Sequence, residues 1–418
     1  MKTKSFCLWQ FLAVMCLFCL FGCEDPDVNG KDPDVNGKTP VEEFIVTVDE
    51  ITHESLTITV TPPDDSQVYY ACLFPDTETS LGLEDEALLE ALVSGDGFEN
   101  YICEGEQSFK YAGLIAHSNY RFVYFSYNPD FGAVTSDLYR SERYTTQDGP
   151  DMFELKVGDV GGLSANFAIT PQNYDGQYYF YVTPYDDYVT KRNDSDYELM
   201  QYDYQYWKFI SESYGVAIEE VVELDLLKGA QQIESSNVVQ LLEWDTEYMA
   251  YVYGLDKYAK VQTGITKEVF RTAAPVPSSM TFELGELEMD FYYEEAEGKA
   301  PLQGWNVGVT IKPSSDVDKY FVTITNNEWY AWYFTSQNKG RSDEKYVQYQ
   351  ILLNSNKTAK ELPTMFKQGE FTYRPFEERG QLLRADKEYV VLVFGVDENG
   401  ATTGITQKVF KTGPVPTE

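Results

Sequence analysis

The feature that most constrains this chain is a stretch that occurs three times. It reads LRADKEYVVLVFGVDENGATTGITQKVFKT at residues 383–412, LEWDTEYMAYVYGLDKYAKVQTGITKEVFRT at 242–272, and LIAHSNYRFVYFSYNPDFGAVTSDLYRSERYTT at 114–146. In each copy a Leu stands six residues before a Tyr: Leu114 and Tyr120, Leu242 and Tyr248, Leu383 and Tyr389. An alternating apolar run follows, a turn interrupts it, and a second run ends in Thr. Alternation at every second residue marks a strand, so each copy is a hairpin that closes a repeated β-unit.

Other landmarks recur at fixed offsets. An opening strand begins at Phe44, Phe153 and Phe282, and a second strand ends in Pro62, Pro171 and Pro313. Seven residues beyond each proline stands Tyr69, Tyr178 or Tyr320. Three units follow, at residues 41–147, 151–274 and 279–413. A chain of 418 residues is too long for one core, and 43% apolar residues suffice for several. The junctions QDGP and AAPVPSS are short and contain proline, which favours a semi-rigid rod over a globular cluster.

From the third-strand Tyr to the corner Leu is 45 residues in the first unit, 64 in the second and 63 in the third, more than a simple sandwich requires. The spacing predicts helices there. Residues 84–93 carry Leu88, Leu89, Leu92 and Val93, with Gly95 as a stop. Ser195 and Glu198 read as a capping box ahead of Leu199, Tyr202, Tyr206, Phe209 and Ile210, and a further helix is expected over 218–228, ending at Gly229. In the third unit, 342–353 and 358–367 pair likewise, with Thr358 and Glu361 as a second capping box. The corner strands are apolar on both faces, as in a sheet covered on both sides, so each helical insertion is expected to form a third layer.

These landmarks resemble the fibronectin type III or immunoglobulin-like β-sandwich, as used in tandem by Bacteroidota surface lipoproteins. The element with Leu six residues before Tyr is similar to the tyrosine corner, which implies that the hydroxyls of Tyr120, Tyr248 and Tyr389 bond back to the chain upstream. The second strands carry no Trp except Trp305, a departure from the commonest fibronectin core. The resemblance implies a mainly β fold of three tandem fibronectin type III/Ig-like β-sandwiches. Each carries its α-helical insertion between the third strand and the tyrosine-corner strand.

The first 22 residues read as a lipoprotein signal peptide: a basic start with Lys2 and Lys4, then an apolar run too short to span a membrane. Leu20-Phe21-Gly22-Cys23 resembles a lipobox, in which the small Gly22 fits the peptidase and the Cys23 thiol carries the lipid. Glu24, Asp25 and Asp27 resemble a surface-export signal. Residues 23–40 form a flexible acidic tether, with DPDVNGK repeated in tandem. Asp32, Asp34, Asn36, Gly37 and Glu43 match a calcium-loop pattern, but no helix precedes them and Pro33 and Pro40 interrupt it. A duplicated solvated heptad accounts for the match.

The expected address is therefore the outer membrane, lipid-anchored, with the acidic cluster pointing to an outward-facing molecule and a periplasm-facing one as the alternative. With 68 acidic residues against 32 basic, a net charge of −36 argues against nucleic acid or anionic bilayers as partners. Only Cys72 and Cys103 lie beyond Cys23, and they are read either as a disulfide tying the first insertion down or as two buried thiols. The chain has two histidines, His53 and His117, and no nucleophile elbow, phosphate loop or HExxH motif, so neither an enzyme nor a cofactor is expected. For recognition, the candidate platform is Trp329, Tyr330, Trp332 and Tyr333, because flat rings stack on sugars and dominate interface hot spots. The alternative is that they form the first turn of an inserted helix packed on its sheet. Function is read as binding or adhesion to a glycan or protein outside the cell, with a structural spacer or accessory subunit of an outer-membrane complex as the other reading.

Overall fold

The computed structural model describes residues 2–5, 43–295, 298, 300–332, 341 and 343–416. Its strands form six sheets, two to each unit. In the first unit Ile45–Ile51, Ser55–Thr61 and Gln107–Ala112 make one sheet, while Val68–Pro75 and Asn119–Asn128 are central in the other. The second unit sets Phe153–Gly158, Asn166–Pro171 and Gln231–Glu234 against a sheet built on Gln177–Pro184, Glu247–Leu255 and Val261–Arg271. The third repeats this with Phe282–Glu294, Leu302–Pro313 and Phe371–Tyr373 against Lys319–Asn326, Glu388–Asp397 and Thr406–Lys411. The chain is thus mainly β, an array of three fibronectin type III-like sandwiches. Lys2–Ser5, within the stretch read as a signal peptide, pairs in parallel with Gln107–Ala112 in the uncleaved chain.

Three devices recur because the same side chains recur. The oxygens of Tyr120, Tyr248 and Tyr389 accept the N–H of Ile115, Glu243 and Arg384 at 3.0, 2.8 and 2.9 Å. The carbonyls of those same three residues accept the hydroxyls of Thr146, Thr272 and Thr412, each at 2.7 Å. One residue of the bend is thereby held on both sides, and its two backbone groups stay satisfied without water. The third-strand tyrosines do similar work at the far edge, where Tyr69, Tyr178 and Tyr320 donate to the carbonyls of Gly105, Gly229 and Gly369. All three glycines hold positive φ, between 64° and 68°, as a Cβ-free turn allows. Tyr248→Phe is expected to destabilise the second unit by about 1–3 kcal/mol, because it strands the Glu243 N–H. A lowered urea midpoint with an unchanged slope is the check.

Each unit has two cores. Tyr248, Ala250 and Val252 face the opposite sheet, whereas Met249, Tyr251 and Tyr253 face the inserted helices. In the third unit Val391 and Val393 point inward, and Val390, Leu392 and Phe394 point to the helical layer. The doubly apolar strands are buried on both sides by three layers.

The insertions depart from expectation in detail. Asp85–Ser94 is helical and stops at Gly95, preceded by a single turn, Glu78–Leu81, whose N-cap is Thr77. Asp196–Tyr214 forms, but it buries Tyr197, Leu199, Met200, Asp203 and Trp207, leaving Tyr202, Tyr206 and Phe209 exposed. The sheet beneath presents the hydroxyls of Tyr251 and Tyr253, which need an acceptor, and only the stripe containing Asp203 supplies one. The Ser195 box does not form either: Glu198 accepts from Asn193 Nδ2, and the first N–H groups of the helix are capped by the preceding unit.

The later helices are shorter than the spacing predicts. The second helix of that insertion ends at Asp225, because Leu227–Lys228 is drawn off to pair with Gln177 and Tyr178 at the sheet edge. In the third unit Glu344–Leu353 is capped by Asp343. The expected helix over 358–367 shrinks to the 3₁₀ turn Leu362–Met365, although Glu361 does reach the Thr358 N–H. Pro363 cannot donate to an α ladder there.

Candidate functional site

The platform follows from where the third strand of the last unit ends. Asn326 Oδ1 accepts the Trp329 N–H at 2.8 Å and starts the short helix Asn327–Trp332, whose first residue is tied to the neighbouring strand by Asn327 Nδ2 donating to Glu388. Tyr330 turns inward onto the helix–sheet core. Trp329 and Trp332, three residues apart and hence on one face, are 37% and 53% exposed. Burial, then Glu344, raises the Tyr330 hydroxyl above its ordinary pKa, so it remains a neutral donor. Tyr333 lies outside the described residues. After the third strand of the second unit, Tyr188 is instead buried and donates to Asp196, with Lys267 completing the cluster.

The joints between units were not legible in the sequence. At the first, His117 O and Ser118 Oγ each accept, at 2.9 Å, the N–H groups of Asp196 and Tyr197, so the corner of one unit caps a helix of the next. The His117 ring lies between Asp148 and Asp194, at 2.7 and 3.4 Å. At the second joint, Leu163, Leu241 and Trp244 bury themselves in the helix–sheet core of the third unit. Beside them the buried Glu243 receives both terminal nitrogens of Arg341, at 2.9 and 2.7 Å. Tyr349 donates to Leu241 O and Gln240 to Leu353 O. Both joints therefore seat a tyrosine-corner bend on the helical insertion of the following unit.

Inside the second unit's helical layer, Asp203 accepts from Tyr251 at 2.8 Å and Tyr253 at 3.0 Å. Burial pushes its carboxyl up to about 7, and the two hydroxyls only partly offset that. Trp207 donates to Asp225 alongside.

Cys72 and Cys103 are not joined. Cys103 is registered opposite Tyr69, and Cys72 lies three residues further along that strand. An odd offset sends them to opposite faces: Cys72 packs under the helices and Cys103 against the inter-sheet core. Of the calcium-pattern residues, Asp32, Asp34 and Asn36 lie outside the described residues, as does Cys23, and Glu43 is exposed. Among the described residues no group of three His, Cys, Asp or Glu side chains converges as a metal site, and no helix is long and apolar enough to cross a membrane.

No protein-family model and no curated protein matches the sequence. Solved structures that align with it include the FN1–FN3 domains of chicken CNTN1, at 11% identity over 88% of this chain and 97% of that one, TM-score 0.22. The central fibronectin-III array of RIM-binding protein aligns at 12% identity over 88% and 96%, TM-score 0.15. Superposition that poor carries no argument, so the assignment of fibronectin type III-like sandwiches rests on the strand pairing and corner geometry of this chain.

Proposed function

We propose that this chain is a non-catalytic recognition protein: a lipid-anchored stalk, acylated at Cys23 in the outer membrane, that presents an aromatic platform to a glycan or protein outside the cell. The observation that carries the reading is the exposure of Trp329 and Trp332 on one face of a short helix anchored by Tyr330. Large aromatic surface left in water is costly unless something covers it. Two sandwiches and the tether separate this platform from Cys23 along the chain. The acidic surface favours uncharged or basic ligands and opposes nucleic acid.

Glycan arrays and affinity gels test this with Trp329→Ala and Trp332→Ala. Loss of retention by both variants, with unchanged thermal unfolding, is the expected result. The locked joints favour a second reading, a rigid spacer or accessory subunit. A spacer would show no ligand retention for the native chain and nothing for the variants to lose.

A further inference from the structure

The first strand of the third unit outgrows its counterparts. Phe282–Glu294 is 13 residues long, against 7 for Ile45–Ile51 and 6 for Phe153–Gly158, and Leu302–Pro313 lengthens with it. Phe282, Leu284 and Leu287 pack on the inter-sheet core, whereas Glu288 to Glu294 continue past it, paired residue by residue as far as Leu302. That extension is stiffened from both of its faces. Phe291 stands edge-on to Trp305 with centroids 5.6 Å apart, Tyr292 lies 4.8 Å from Phe376, and Arg374 pairs with Glu288. Trp305 is fixed in turn by reciprocal backbone bonds with Leu383 and by donating to Gly413 O.

Among the described residues the outer edge of this ribbon is open: Phe282–Glu294 has a paired strand on one side only, and the last contact to its outward backbone is from Lys408 Nζ to Gly285 O. Among the described residues, no backbone group from 286 to 294 bonds to anything but the facing strand. An antiparallel strand sends alternate N–H and C=O pairs outward, and unpaired ones are a template for a further strand. This edge also lies at the end of the unit away from its neighbour. Trp244 sits on Gly400, whereas the extension adjoins Leu383, at the opposite end of Glu388–Asp397, roughly 30 Å along the strand.

Charge and pattern choose the occupant. Glu286, Glu288, Asp290 and Glu294 share one face of the strand with Tyr292, Glu288 being paired with Arg374, and Leu287, Met289, Phe291 and Tyr293 occupy the other; residues 282–295 themselves contain neither Lys nor Arg. A second copy adding the same edge would bring carboxylates against carboxylates, which is destabilising. The first two units keep their opening strands short, one way of protecting an edge, but the third does not. We propose that residues 286–294 are a docking edge for an extended partner segment that alternates basic and apolar residues and adds as a further strand of this sheet. Its basic side chains would meet the acidic face, and its apolar ones would cover the exposed Met289 and Tyr293.

The test uses the full chain and a synthetic peptide alternating Lys and Val, with hydrogen exchange read at residues 286–294. The peptide is expected to slow exchange of the outward amides there, and Asp290→Lys is expected to weaken that protection several-fold. A peptide of equal charge with Pro in place of every Val keeps the electrostatics but cannot pair, and should protect nothing. Equal protection by the Pro peptide, protection elsewhere, or no protection by the Lys–Val peptide overturns the proposal.

Discussion

Trp244→Ala is expected to uncouple the second unit from the third. Trp244 is only 4% exposed although it belongs to the bend of one sandwich, because it is buried among Val347, Ile351 and Leu352 of the next. Its ring meets the backbone of Gly400, where an added Cβ would stand 2.5 Å away, and Gly400 holds a φ of 145° that side chains rarely adopt. Removing a buried Trp costs about 3–5 kcal/mol through lost burial and the cavity left behind. Here that loss falls on the joint, since the inter-sheet cores of both units lack Trp244 altogether. Two separate thermal transitions and a broadened small-angle scattering distance distribution are the expected outcomes. Gly400→Val attacks the same contact from the other side and should give the same result. One cooperative transition with unchanged scattering in both variants would show that the units are held by something else.

What could be read from the sequence, and what could not, follows from how far each feature depends on its surroundings. The corner bend, the proline-ended strand and the terminal Thr are local in the chain and bond within their own unit, so spacing exposed them as landmarks and the resemblance to fibronectin type III sandwiches supplied the role of the corner tyrosine. Helices were legible as existing, but their buried faces were not. Tyr202, Tyr206 and Phe209 looked like the core stripe because they are large and apolar, yet the sheet below carries tyrosine hydroxyls and selects Asp203 instead. The sequence left Cys72 and Cys103 open between a disulfide and two thiols for a related reason. Proximity along the chain does not say which face a side chain takes, and only the register with Tyr69 does. Trp244 and Glu243 were invisible as joint residues because the surface that covers them belongs to another unit. A usable signal was present even so: the bend reads LEWD in the second copy, against LIAH and LRAD, and an added Trp at a repeated turn needs something to cover it.

Asp203→Asn is expected to stabilise the second unit at alkaline pH and to do little near pH 4. In the folded chain the carboxyl titrates at about 7 because burial disfavours its charge, whereas an unfolded Asp titrates near 3.9. A group whose folded pKa is raised binds its proton more tightly in the native state, so the stability it contributes is complete below about pH 4 and is lost as pH rises through 7. Three pH units correspond to a swing on the order of 4 kcal/mol. No discount for solvent applies, since the side chain is enclosed by the helix and by Tyr251 and Tyr253. Asn matches the protonated form in shape and charge: its Oδ1 accepts from one tyrosine and its Nδ2 donates to the other's oxygen. Urea unfolding at pH 5 and pH 8, followed by the fluorescence of the buried Trp207 in the same layer, measures the difference. The gap between native chain and variant should open by about 2–3 kcal/mol across that interval in the variant's favour. A gap that does not change with pH would mean that Asp203 stays charged in the fold, and that its two tyrosine donors outweigh the cost of burying it.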